Sequence, residues 1–180
     1  MAGLIVPFRG MVPRIDPTAF VAPTATIIGD VEIGADSGIW FGVTIRGDVH
    51  EIRIGKGTNI QDGTVIHISS KRFGTYIGDG VTVGHCCLIH ACVLEDKSFI
   101  GMNATVMDGA VVESGAMVAA GALVTPGTRV EKGKLWAGVP AKCRRDLGDS
   151  DHEMMGYTAP HYAELAREYR LEAEARDDGA

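Results

Sequence analysis

The sequence predicts a mainly β protein: a triangular parallel β-helix that ends in a single α-helix. Two observations predict the coil and a third predicts the helix. An aliphatic residue recurs every six positions over most of the chain, and a small or β-branched residue stands two places before it. After Trp136 this beat stops, and the composition turns to Ala, Glu, Leu and Arg.

The beat runs Val21, Ile27, Ile33, Ile39, Ile45, then Ile54, Ile60, Ile66, then Ile77, Val83, Ile89. Leu94, Ile100, Val106, Val112, Val118, Val124 and Val130 complete it. Strand side chains alternate between faces, so each aliphatic residue and its partner two places earlier (Ala25, Ser37, Thr58, Thr64) point inward together. Ile52 is the one bulky partner. Glycine follows the aliphatic residue at 34, 55, 78, 84 and 101, where it is expected to permit a corner. Three six-residue sides make an eighteen-residue coil, and residues 15–136 would make roughly seven. The pattern resembles the hexapeptide repeat of left-handed β-helices. The left hand is implied by that resemblance, because parallel crossovers in general favour the right.

Breaks in the count mark the flanks. Three extra residues lie between Ile45 and Ile54 and five between Ile66 and Ile77, and one is missing between Ile89 and Leu94. Insertions in a solenoid become loops, so Ser69 to Tyr76 is predicted to protrude. The expected organisation is one domain: β-helix over 1–137, linker over 138–157, helix over 158–177. Gly138-Val139-Pro140 and the polar run from Gly148 to His152 mark the linker. Thr158 is the candidate N-cap, and Tyr162, Leu165 and Tyr169 form the stripe that packs on the coil.

Composition narrows the function. A formal charge of −6 on 180 residues argues against nucleic acid or an anionic membrane as partner. No apolar run approaches the ~20 residues of a membrane span, and Met1 to Ile15 lacks the pattern of a secretory leader. Four cysteines without CxxC spacing suit a reducing cytoplasm. Cys87 and Cys92 take inward positions and are predicted to be core, whereas Cys86 faces the other way.

Polar residues that interrupt the beat carry the chemistry. Trp40, Arg46, Gln61, His67 and His90 each follow an aliphatic position. Because sides repeat every third hexad, Arg46, His67 and His90 fall on one side of three successive coils. His67 and His90 are 23 residues apart, and subtracting the five-residue insertion leaves 18, one coil. Coils stack ~4.8 Å apart, and two imidazoles stacked that way can share a metal through ~2.1 Å bonds. His85 sits one place further along, on the neighbouring side and one coil above Asp62, and points away from that column. Two copies packed side by side would bring it to the pair, and three in a ring would close the symmetry. His50, His152 and His161 have no such stacking and are read as solvated.

Arg46-Gly47-Asp48, Asn59-Ile60-Gln61-Asp62, His67, Gly84-His85 and His90 closely resemble the γ-class carbonic anhydrases. Trp136 to Lys142 and the terminal helix extend the likeness over nearly the whole chain. The resemblance implies a homotrimer with three interfacial metal sites, His67 and His90 from one chain and His85 from the next. It implies an intersubunit ion pair of Arg46 with Asp48, Gln61 bonded to metal-bound solvent or substrate with Asp62 behind it, and Tyr162 near the pocket. Zn2+ suits an all-imidazole set, and Fe2+ or Co2+ would also fit. The implied activity is a zinc-dependent carbonate dehydratase, a lyase in which water activated at neutral pH attacks carbon dioxide to give bicarbonate. The chain departs from the fully active branch of that family: Val49 replaces a Glu, and the loop from Ser69 to Tyr76 has no carboxylate. That departure predicts slow proton release and keeps other readings open. They are an acyl-CoA thioesterase or accessory protein of the same family, a hexapeptide acyltransferase with one His as base, and a non-catalytic metal-binding trimeric scaffold.

Overall fold

A computed structural model describes residues 3–70 and 73–177. Short parallel strands wind into a left-handed solenoid of about seven turns with three faces, closed by one C-terminal helix. The first face stacks the starts of Thr26–Ile33 and Thr44–Ile54, then Val65–His67, Leu88–His90, Thr105–Val106 and Leu123–Val124. The two long strands bend onto the second face, which continues through Thr75–Ile77, Val93–Leu94, Val111–Val112 and Arg129–Val130. The third face runs from Phe20–Val21 through Gly38–Ile39, Asn59–Ile60, Thr82–Val83, Phe99–Ile100 and Met117–Val118 to Lys134–Ala137.

Every aliphatic position from Ile27 to Val130 is buried, so the core is a stack of matched columns. Full burial of each Ile or Val is worth ~1.5–3 kcal/mol. The inward position two residues earlier has a second task at the corners. Thr58 Oγ1 donates to Gly78 O at 2.7 Å and accepts from Val81 N at 3.0 Å. Thr64 makes the same bridge from Gly84 O to Cys87 N. These hydroxyls pair corner backbone groups that the ladder leaves over inside the core. Cys87 and Cys92 are buried, as expected, and burial pushes their thiols up to about 11 and about 12.

The corners turn elsewhere than expected. Backbone with positive φ falls mostly three residues after the aliphatic position, as at Gly127 (φ 69°), where a side chain would have open space, and two residues after it at Gly29 and Ala91. The glycine directly after the aliphatic position answers a different need. A Cβ on Gly55 would lie 2.6 Å from the Gly78 backbone of the next coil.

The predicted linker over 138–157 is largely structured. Lys142–Asp146 folds back antiparallel on Lys134–Ala137 and caps the last coil. The helix spans Asp149–Asp177, starting well before Thr158. Asp151 makes that start: its carboxylate pairs with Arg145, accepts from Gly148 N at 2.8 Å, and is thereby held at about 2. Thr158 is no cap, since its Oγ1 donates to Met154 O at 2.7 Å within the helix. The predicted stripe does face the third face of the coil. Tyr162 and Tyr169 meet Trp40 edge-on at 5.3 and 5.5 Å, and Leu165 packs on the core. The extra residues after His67 form a loop closed by a bridge between Ser69 and Phe73, and Thr75 and Tyr76 rejoin the second face. Lys71 and Arg72 of that loop lie outside the described residues.

The two glycine roles separate by measurement. Gly127→Ala is expected to cost about 1–2 kcal/mol, the strain of a left-handed non-glycine residue. Gly55→Ala is expected to cost about 3 kcal/mol, because two coils must move apart. Urea denaturation of both variants checks the order; equal losses would show that spacing between coils is not the limiting contact.

Candidate metal centre

His67 and His90 end adjacent strands of the first face and pair directly in register. Arg46 belongs to the coil below, where Ile45 is paired with Ile66. The two rings are 5.3 Å apart between centroids, and His67 Nδ1 faces His90 Nε2 at 3.3 Å. Their other nitrogens are committed: His67 Nε2 meets Asp48 Oδ1 at 3.1 Å, and His90 Nδ1 meets Asp108 Oδ1 at 2.6 Å. Carboxylates only accept, so in the neutral rings the protons lie on those outer nitrogens. Two lone pairs then confront each other across the gap. A cation between them removes the repulsion. Two ligands at ~2.1 Å on a tetrahedral ion lie ~3.4 Å apart, so the observed separation fits such an ion.

Asp48 is shared. Burial raises its carboxyl, but hydrogen bonds from Arg46 and His67 outweigh burial and hold it below the ordinary carboxylate value. Within this chain Arg46 pairs with its own Asp48.

His85 stands apart. It follows Gly84 on the corner beyond the third face, and its Nδ1 lies 2.9 Å from Asp62 Oδ2. Among the described residues no three His, Cys, Asp or Glu side chains of one chain converge on a metal-sized site. Gln61 is buried, and its amide donates to Asn59 Oδ1 at 3.0 Å. Tyr162 lies between Trp40 and the Asp62 side of the coil, where burial and then the charge of Asp62 raise its phenol. His50 is half-buried rather than fully solvated and accepts from Glu51 N at 2.9 Å. His152 and His161 are exposed.

Asp108 is the residue that sequence reasoning missed. It lies 18 residues after His90, one coil further along the same column. That spacing is the available signal, but Asp108 stands two places past Val106, whereas Arg46, His67 and His90 each stand one place past their aliphatic residue. Each of His67, His85 and His90 thus carries its own carboxylate: Asp48, Asp62 and Asp108.

Comparisons with known proteins bear on the repeat and on the family. Residues 92–126 match the model for the hexapeptide repeat of succinyl-transferase. The chain is 50% identical over 160 residues to gamma carbonic anhydrase 2, mitochondrial, of Arabidopsis thaliana, covering 86% of this chain and 58% of that protein. It is 42% identical over 167 residues to a carbonic anhydrase of Geobacillus kaustophilus, covering 93% of this chain and 91% of that one. The crystal structure of a hexapeptide transferase family protein from Anaplasma phagocytophilum superposes with a TM-score of 0.89 at 48% identity, covering 92% of this chain and 98% of that one.

The lowered Asp48 carboxyl has an acid signature. Its stabilising effect is full above the unfolded value of about 3.9 and is lost as pH falls through the lower folded value. The stability difference between wild type and Asp48→Asn, from urea titrations, is expected to be level from neutral pH to about 5 and to shrink below about 4. A difference that stays level to pH 2 contradicts the pairing.

Proposed function

Because the chain belongs to the γ-class carbonic anhydrase family, we propose that it hydrates carbon dioxide to bicarbonate at metal sites shared between subunits. The observation that carries the reading is the approach of His67 Nδ1 to His90 Nε2 at 3.3 Å, with the outer nitrogen of each ring on a carboxylate. In this reading His67 and His90 of one protomer and His85 of another hold the ion. Zinc is the ion favoured by neutral imidazoles, and ferrous or cobaltous ions suit the same donors. When bound, the ion supplies the Lewis acidity that brings the pKa of water to about 7.

The chain's own residues do the rest. Asp48, Asp62 and Asp108 fix which imidazole nitrogen is free. Arg46 neutralises Asp48 and keeps it ionised. Gln61 and Tyr162 line the Asp62 side, where a carbon dioxide or bicarbonate molecule would approach His85. A trimer is supported by what the first face leaves uncovered: Val65 (41% exposed) and Leu88 (39%) sit on the same strands as His67 and His90. An isolated chain exposes these apolar side chains beside an incomplete set of ligands, and a neighbour would cover the first while completing the second. No helix among the described residues is long and apolar enough to cross a membrane.

A second reading, hexapeptide acyl transfer with one histidine as base, is favoured by the transferase names of the matching repeat model and of the Anaplasma protein. The two readings differ in how many histidines they need. Stopped-flow hydration assays on protein loaded anaerobically with zinc, cobalt or iron are expected to show turnover above buffer, with one ion per chain. His67→Ala, His85→Ala and His90→Ala are each expected to lose the ion and at least ~100-fold in rate. No turnover with any of the three metals sinks the proposal. Acyl transfer that survives His67→Ala and His85→Ala supports the second reading instead.

A further inference from the structure

We infer that Asp108 is a positioning residue for His90, and that the loop carrying Phe73 steadies the corner from which Asp108 reaches it. The inference rests on the metal reading above. An imidazole can turn over and present either nitrogen, so a ligand pointing one way needs a partner that prefers one proton position. Asp108 Oδ1 supplies it at 2.6 Å from His90 Nδ1, at the short side of the ~2.7–2.9 Å of charge-assisted N–H···O bonds. The proton therefore stays on Nδ1, and Nε2 faces His67 with its lone pair free.

Asp108 is itself held by its backbone. Its carbonyl accepts from Gly127 N at 2.9 Å, and the next residue, Gly109, donates to Ala91 O at 2.7 Å. Gly109 has φ of 69°, and Phe73 lies across it, its ring 3.6 Å from where a Cβ on Gly109 would stand. Phe73 is 47% exposed, so core burial does not account for its position. It covers the turn that aims Asp108. Phe73 thus acts on the site by packing, through Gly109, Asp108 and His90.

Zinc affinity by competition with a chromophoric chelator, the cobalt absorption spectrum and the apo thermal midpoint are measured on wild type, Asp108→Ala, Asp108→Asn and Phe73→Ala. Asp108→Ala is expected to weaken zinc ~10–100-fold and to alter the cobalt spectrum while the apo midpoint barely moves. Asp108→Asn, which keeps an acceptor but no charge, is expected to fall between, and Phe73→Ala to weaken zinc less than Asp108→Ala. Unchanged affinity and spectrum in Asp108→Ala, with wild type binding zinc, overturn this inference alone. A wild type that binds no zinc, cobalt or iron overturns the metal reading and this inference with it. Should Asp108→Ala fail to fold, nitrogen NMR of His90 in the apo wild type decides: a proton on Nδ1 is expected, and one on Nε2 overturns the inference.

Discussion

Everything in this protein depends on the register between coils. The ladder bonds each coil to the next, as in Gly34 N to Ile54 O, Gly55 N to Ile77 O and Gly78 N to Leu94 O. Parallel bonding at ~4.8 Å leaves no freedom to slide, because a slip of one residue would turn the buried isoleucines outward. Side chains one coil apart are therefore held in contact by the backbone. His67 and His90, His85 and Asp62, and His90 and Asp108 are all neighbours of this kind. The site is assembled by stacking, and no long loop has to fold over to complete it.

Stacking also makes much of the architecture readable in the sequence. Counting by six from Val21 placed the three faces, the inward thiols of Cys87 and Cys92, and the His67–His90 pair. It failed where local chemistry overrode the count. Gly138-Val139-Pro140 and the polar run from Gly148 to His152 carry linker signals in the sequence, yet they hold the capping hairpin and the first turn of the helix. The hairpin forms because the last coil offers an open edge to Lys142–Asp146, and the helix begins early because Asp151 meets both Gly148 N and Arg145. The corner glycines differ from the sequence expectation for a related reason. The beat shows where a residue sits along the coil but not which backbone lies across from it.

Of the site, the stacked pair and the separateness of His85 were legible, because both follow from the side count. Asp108 was not, because carboxylates two places past an aliphatic residue take two different roles: Asp62 and Asp108 meet histidines, whereas Asp79 and Asp96 cap backbone. Asp79 accepts from Lys56 N at 2.7 Å and Asp96 from Asp79 N at 2.8 Å. Only the side-chain direction distinguishes Asp108 from these, and direction is a property of the folded corner. The same holds for Phe73, an unremarkable loop residue until its ring is seen lying over Gly109.

The central claim is that one ion needs two chains. The most direct measurement mixes chains carrying His67→Ala with chains carrying His85→Ala, after each has been shown to assemble. Neither variant alone is expected to bind zinc. Refolded together, each mixed trimer is expected to regain one site, where a chain with intact His67 and His90 meets a chain with intact His85, and hydration activity returns with it. Mixtures as metal-free as their parents, or a parent that keeps its ion, would contradict the account.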